Sequence, residues 1–298
     1  MSLADLRAFE MRRGLSLASL CDLVSERHAR GEATVLLAGG TDWMVEQELR
    51  GMLAEGQAGP LLVDISRMDE LRGIHLTDGT LRVGAATTYL EMRRSEIVRE
   101  RAPLLDRMAR DVGAVQIQAR GTLGGNIATA SPAADGVAAL AALDAEIVVR
   151  SARGERRIPI AALQTGYKAS SRAPDEIIVA VDIALPAAGS SWIWRKVGAR
   201  RAQAISKVAL AGIAEVQNGA VTRIGLGMAS VAPVTALLPK TRALALSRPL
   251  ADLTPDAIDG AVAEDIAPID DVRSTREYRI HCAKAVTRGF LRQLGAPV

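Results

Sequence analysis

Two short glycine turns constrain this 298-residue chain more than any other feature. The first closes an apolar run, Thr34-Val35-Leu36-Leu37-Ala38, with Gly39-Gly40-Thr41-Asp42, after which Trp43 to about Leu49 reads as helical. The second is Gly121-Thr122-Leu123-Gly124-Gly125-Asn126, followed by Ala130-Ser131-Pro132-Ala133-Ala134-Asp135. Adjacent glycines can take positive φ and lack the Cβ that would hold a ligand off the backbone. Successive amides in such a turn form a concave anion site, reinforced where a helix begins. One Gly-Gly is more often a plain turn. Two of them, each followed by hydrogen-bonding side chains, suit one diphosphate gripped from both sides.

The familiar nucleotide signatures are missing. No G-x-x-x-x-G-K-[ST] occurs, so a P-loop is not expected. Gly225-Leu226-Gly227 begins like a dinucleotide fingerprint, but Ser230 stands where the third glycine belongs. That stretch also lies inside an expected antiparallel strand, which makes its residues strand glycines. The diphosphate is therefore not expected on a Rossmann turn.

Composition narrows the alternatives. A chain that is 49% hydrophobic and 24% charged is globular rather than disordered. At roughly 100–200 residues per domain its length suggests two or three small domains. No apolar run reaches the ~18 residues that span a bilayer, so no integral membrane segment is expected. Met1 to Glu10 has no apolar stretch behind a basic flank, so no secretory signal is expected and the expected compartment is the cytoplasm. The net charge of +3 is small and the arginines are scattered, as at Arg12–Arg13, Arg93–Arg94, Arg156–Arg157 and Arg200–Arg201. Three Trp, three Tyr and two Phe are too few for base-stacking platforms, which argues against nucleic acid. Cys21 and Cys282 fit no metal spacing and cannot supply the four ligands an iron–sulfur cluster typically takes. His28, His75 and His281 are isolated from other ligand types, and no G-x-S-x-G elbow is present, so neither a metal site nor a serine nucleophile is expected.

Along the chain, Leu17, Leu20 and Val24 recur at helical spacing behind Ser16, a fitting cap. With Thr34 to Ala38, the first glycine turn and Leu61 to Ile65, they compose a β–turn–α–β lobe; a glycine-rich loop is expected from Gly51 to Pro60. Gly73 to Leu76 and Leu81 to Gly84 flank a Thr77-Asp78-Gly79-Thr80 hairpin turn. Helices are expected over Thr88 to Glu96, Pro103 to Asp111 and Val137 to Leu143. Strands are expected over Ala145 to Arg150, from the Arg153-Gly154 turn through Ile160, and over Glu176 to Leu185. Pro186-Ala187-Ala188-Gly189-Ser190-Ser191 reads as a linker. Three antiparallel strands are expected beyond it, Ser191 to Val197, Val208 to Gln217 and Val221 to Ala229, the last two joined at Asn218-Gly219. Helices follow from Thr254 to about Glu264 and from Ser274 to about Leu294.

The glycine segments, with Ser131-Pro132-Ala133-Ala134-Asp135, resemble the FAD-binding medium subunits of the molybdenum hydroxylases, the xanthine dehydrogenase and carbon monoxide dehydrogenase family. Gly166-Tyr167-Lys168, Ala173 to Ile178, Arg195-Lys196-Val197, Ile205 to Val208 and Pro268 to Arg273 with Tyr278-Arg279 extend the likeness over nearly the whole chain. The resemblance implies an α+β fold. A two-lobed FAD-binding domain of the vanillyl-alcohol-oxidase-like (PCMH) type would occupy 1–62 and 63–187. A C-terminal α/β domain of the CO dehydrogenase flavoprotein type would occupy 188–298.

The resemblance also implies a site. Leu37, Ala38, Gly39, Gly40, Thr41, Asp42 and Trp43 would wrap the FAD diphosphate on one side, and Thr122, Gly124, Gly125, Asn126 and Thr129 on the other. Asp135 occupies the acidic FAD-contact position, suited to hydroxyl donors on the cofactor. Ile178 and Lys196 match two further contacts. Ile205 falls near the flavin-ring position, where carbon monoxide dehydrogenases tend to carry tyrosine, and Tyr167 falls in a loop near the flavin. No residue is assigned a catalytic role, and FAD is expected to be non-covalent. The implied function is electron relay: electrons arrive from 2Fe–2S clusters of a small partner subunit and leave to NAD, oxygen or quinone, with molybdopterin in a large partner subunit. A dimer of such heterotrimers is the implied assembly. A self-sufficient FAD-dependent oxidoreductase of the same superfamily and a non-catalytic nucleotide-binding module are the alternatives.

Overall fold

The computed structural model describes residues 9–50 and 59–298. The start of the Met1 to Glu10 segment and most of the expected loop from Gly51 to Pro60 lie outside the described residues. Strand β1 (Met11–Arg12), helix α1 (Leu17–Ala29), β2 (Thr34–Leu37), α2 (Thr41–Arg50) and β3 (Leu61–Asp64) form the first lobe around a parallel sheet ordered β1-β3-β2. Ser16 caps α1, its hydroxyl accepting from the Ser19 amide at 3.2 Å. Leu17, Leu20, Cys21 and Val24 then face the core at the spacing of one helix side.

The second lobe begins with the hairpin of β4 (Ile74–Thr77) and β5 (Thr80–Gly84), turned by Asp78 (φ 49) and Gly79 (φ 77). Four helices follow: α3 (Tyr89–Arg94), α4 (Glu96–Arg101), α5 (Pro103–Asp111) and α6 (Val115–Gln118). The single helix expected over Thr88 to Glu96 stops at Ser95, whose hydroxyl accepts from the Val98 amide and so starts α4. Helices α7 (Leu123–Thr129) and α8 (Asp135–Ala142) lead to β6 (Glu146–Ser151), β7 (Gly154–Pro159), α9 (Ile160–Leu163), the small β8 (Gln164–Gly166) and β9 (Ala169–Ser170) pair, and β10 (Ile177–Ala184). The antiparallel sheet is ordered β4-β5-β10-β6-β7. Asp175 and Glu176, just before β10, are held by Arg153 and Arg156 of the neighbouring β6–β7 hairpin. Those hydrogen bonds hold both carboxyls below the ordinary carboxylate range.

The C-terminal part is an antiparallel sheet of β11 (Ser191–Val197), β12 (Val208–Gln217) and β13 (Ala220–Ala229), backed by α10 (Pro239–Leu246), α11 (Pro255–Asp265) and α12 (Arg276–Gln293). Alternation along β12 assigns its two faces. Val208, Leu210 and Ala214 join Phe290 and Leu291 of α12 in one core. Ala209, Ala211 and Ile213 face the other way, into a core shared with α8 and the five-stranded sheet. All eight residues of α8 are buried. Small residues let it lie directly on β13: a Cβ added at Gly225 would sit 1.9 Å from the Ala142 carbonyl oxygen, and one at Gly227 2.1 Å from that of Ala138. These two glycines serve close helix–sheet packing, as expected for strand positions.

Candidate functional site

The first glycine turn hands β2 to α2 through Ala38, Gly39 and Gly40. Gly40 has φ +72°, which an L side chain rarely adopts. Gly39 is glycine for a different reason: an added Cβ would lie 2.0 Å from the Arg120 carbonyl oxygen. The two glycine segments are thus in backbone contact. Met44 is the first amide to bond back, to the Gly40 carbonyl at 3.0 Å. The amides of Gly39, Gly40, Thr41, Asp42 and Trp43 have no acceptor among the described residues. Aligned at a helix start, they carry the positive end of its dipole.

The second segment corrects the expectation of a two-sided amide cradle. It is not an open turn; it is the first turn of α7 with Thr122 as its cap, whose hydroxyl accepts from the Gly125 amide at 3.0 Å. Leu123 donates to the Thr87 carbonyl, Gly124 to that of Ala85 at 2.9 Å, and Asn126 to that of Thr122. These amides are spent within the protein. Gly124 is glycine because a Cβ there would meet the Ala85 Cβ and carbonyl oxygen at 2.6 Å. Side chains and the face of α7 therefore oppose the first turn. The Thr129 hydroxyl donates to Asp42 Oδ2 at 2.7 Å and ties α7 to α2 across the gap.

Between the segments lies a cleft of about 400 Å³. Leu37 to Trp43, Thr122, Gly125, Asn126 and Thr129 line it, and so does Lys168, whose ammonium lies 3.6 Å from Glu46. Gly124 and Ile178 line an adjoining cleft of about 190 Å³ that shares Leu36, Ala38, Gly125 and Ala128 with the first. An elongated ligand with an anionic middle fits such a joined groove. Tyr167 and Ile205 stand exposed, and neither lines these clefts.

Asp135 and Lys196 sit outside the cleft lining and form a buried ion pair at 2.5 Å between α8 and β11. Ser206 donates to the other carboxylate oxygen at 2.7 Å, and the Lys196 ammonium also donates to the Asp111 carbonyl at 3.0 Å. Burial pushes the Asp135 carboxyl above its ordinary value, while Lys196 and Ser206 pull the other way. Sequence reasoning singled out both residues without pairing them.

It missed Tyr89 altogether. This side chain lines the cleft, is only 2% exposed, and its hydroxyl has no partner. Burial, then the charges of Asp135 and Asp42, raise its pKa well above the ordinary phenol value, so the hydroxyl keeps its proton. Asn126 Oδ1 is likewise buried and unpartnered. Tyr89 opens an unremarkable capped helix far along the chain from either glycine pair, and nothing local marks it.

Similarity to known proteins follows the same outline. Residues 7–188 match the model for the FAD binding domain in molybdopterin dehydrogenase, and 194–294 match that for the CO dehydrogenase flavoprotein C-terminal domain. A xanthine dehydrogenase FAD-binding subunit of Escherichia coli O157:H7 is 30% identical over 278 residues, 93% of this chain and 92% of that protein. The carbon monoxide dehydrogenase medium chain of Hydrogenophaga pseudoflava is 29% identical over 264 residues, covering 88% of this chain and 89% of that one. A solved structure of the carbon monoxide dehydrogenase of that organism superposes with a TM-score of 0.88 at 27% identity, over 95% of this chain and 96% of the matched chain. With both parts of the chain matched in order and nearly end to end, this protein belongs to the family of FAD-binding medium subunits of the molybdopterin-dependent dehydrogenases of the xanthine and carbon monoxide dehydrogenase type.

Proposed function

We propose that this chain binds one FAD without a covalent bond and relays electrons within a larger oxidoreductase. They would arrive from 2Fe–2S clusters of a small subunit and leave to NAD or another acceptor, while a large molybdopterin subunit transforms the substrate. The observation that carries this reading is the row of unpartnered amides from Gly39 to Trp43, opposed across the cleft by Thr122, Gly125, Asn126 and Thr129. The residues present suit the cofactor: amides and the Thr41 hydroxyl for the diphosphate, and Ile178 in the adjoining apolar cleft. Asp135 and Lys196 fix the wall where the second lobe meets the C-terminal sheet. Neither glycine segment carries a His or Cys to form a flavin bond. FAD supplies a centre that exchanges electrons singly or in pairs; the protein positions it and sets its electrostatics. We divide the chain at 1–62, 63–187 and 188–298, with the cleft between the first two parts. The complex is read as a cytoplasmic dimer of heterotrimers.

Dependence on partners tests this reading. Two cysteines cannot ligate a cluster that typically takes four. The isolated chain should hold FAD yet hydroxylate no purine, aldehyde or heteroaromatic. Co-expressed with a 2Fe–2S and a molybdopterin subunit, it should assemble and support turnover. Substrate hydroxylation by the chain alone, with no iron or molybdenum on elemental analysis, would overturn the relay assignment.

A further inference from the structure

We infer that the Tyr89 hydroxyl and Asn126 Oδ1 together bind one alcohol hydroxyl on the flavin side of the cofactor, so that Tyr89 is a cofactor-binding residue. The inference rests on the FAD reading above and adds to it a residue that neither glycine motif contains.

Three observations carry it. First, both atoms are buried and without partners, although buried polar atoms in native proteins are nearly always hydrogen-bonded. An unmet pair on the wall of a cleft marks where a ligand's polar group belongs. Second, the two atoms lie close enough together to share one partner. A Cβ added at Gly136 would lie 2.5 Å from Asn126 Oδ1 and 2.9 Å from the Tyr89 hydroxyl, so the two polar tips meet over a residue with no side chain. Third, the pair adjoins the amide turn: a Cβ added at Gly121 would be 3.7 Å from both Thr41 Oγ1 and Tyr89 Cδ2.

The chemistry of the pair selects its ligand. Asn126 Oδ1 only accepts. The Tyr89 hydroxyl, kept protonated by burial and by two nearby carboxylates, is the available donor. A group that donates to one and accepts from the other is an alcohol; a phosphoryl oxygen would satisfy Tyr89 but leave Asn126 unmet. In FAD, the alcohols next to the diphosphate belong to the ribityl chain on one side and the adenosine ribose on the other. Tyr89 lines the cleft of about 400 Å³, whereas the Ile178 cleft beyond Ala38 and Gly125, about 190 Å³, suits the smaller adenine better than the tricyclic flavin. We assign Tyr89 to the ribityl chain.

Tyr89→Phe removes the hydroxyl and little else. Its binding of FAD and of ADP, which has the diphosphate and ribose but no ribityl chain, is measured by titration of the apo-protein. The apo-protein's Tm is measured beside wild type. FAD should bind about tenfold more weakly, as for loss of a buried hydrogen bond that strands its partner, and ADP within about twofold of wild type. The apo-variant should melt no lower than wild type, because it loses only an unmet hydroxyl. Unchanged FAD affinity, or equal weakening of FAD and ADP, would overturn the assignment. So would a lower apo Tm or failure to fold, which would show that the hydroxyl has a partner without cofactor. Wild type that binds neither FAD nor ADP would instead remove the cofactor reading on which the inference rests.

Discussion

Asp135 is held at its depth by Lys196, and the pair joins two parts of the chain that sequence keeps far apart. Removing one partner of a buried ion pair costs about 3–5 kcal/mol, because the remaining charge is left desolvated. Lys196→Met should therefore destabilise the protein by about 3 kcal/mol near neutral pH. The pH dependence has a definite sign. Burial already raises the Asp135 carboxyl above its unfolded value, so the folded state holds that proton more tightly. Its contribution is then greatest in acid and is lost as pH rises from the unfolded value through the raised one. Without Lys196 the carboxyl rises further and the loss extends to higher pH. Urea denaturation should show a smaller deficit for the variant at about pH 5 than at about pH 8. Equal deficits would mean that Asp135 does not titrate between them.

Among the elements, β2, its glycine turn and α2 do most to shape the site, and two adjacent glycines separate close approach from backbone freedom. Gly40→Ala keeps open space around the new methyl group and should cost about 1 kcal/mol for its left-handed φ. Gly39→Ala drives a methyl into the Arg120 carbonyl and must part the two segments. After reconstitution, the flavin-to-protein absorbance ratio should fall for both variants, and more sharply for Gly39→Ala, which also parts the two segments. Full occupancy of Gly39→Ala would remove the contact between segments from this account. Elements with local signals were legible: the hairpins at Asp78-Gly79 and Asn218-Gly219, where φ is positive, and the helices capped by Ser16, Thr254 and Thr275. Helix α7 was not, because Leu-Gly-Gly-Asn has poor helix propensity and is held by the Thr122 cap and by contact with Ala85. Helix α10 was also missed, since Leu238 precedes it in a left-handed conformation with no side-chain cap. The glycine pairs were legible as turns, and both line one cleft, but the division of labour between them was not. That depends on which amides are already bonded, and the bonds of Gly124 and Leu123 run to Ala85 and Thr87 in the connection between β5 and α3.

Across the whole molecule, α8 joins the second lobe to the C-terminal sheet. It is buried on every side, packs on β12 and β13, and begins at Asp135 beside the polar wall of the cleft. The C-terminal sheet thus braces the second lobe while the cleft stays open between the glycine segments. Among the described residues no helix is long and apolar enough to cross a membrane. The strands beyond Pro186–Ser191 were legible because they are short apolar runs, the last two joined at Asn218-Gly219. The meeting of Tyr89 with Asn126 over Gly136 was not, because it exists only once α3, α7 and α8 are packed. On the function proposed above, this cleft holds FAD by contacts alone. The test is to reconstitute the purified 298-residue chain with FAD, remove free flavin, precipitate the protein with acid and measure flavin in the supernatant and in the pellet. One FAD per chain is expected, all of it in the supernatant. No bound flavin after reconstitution, or flavin remaining in the pellet, would contradict it.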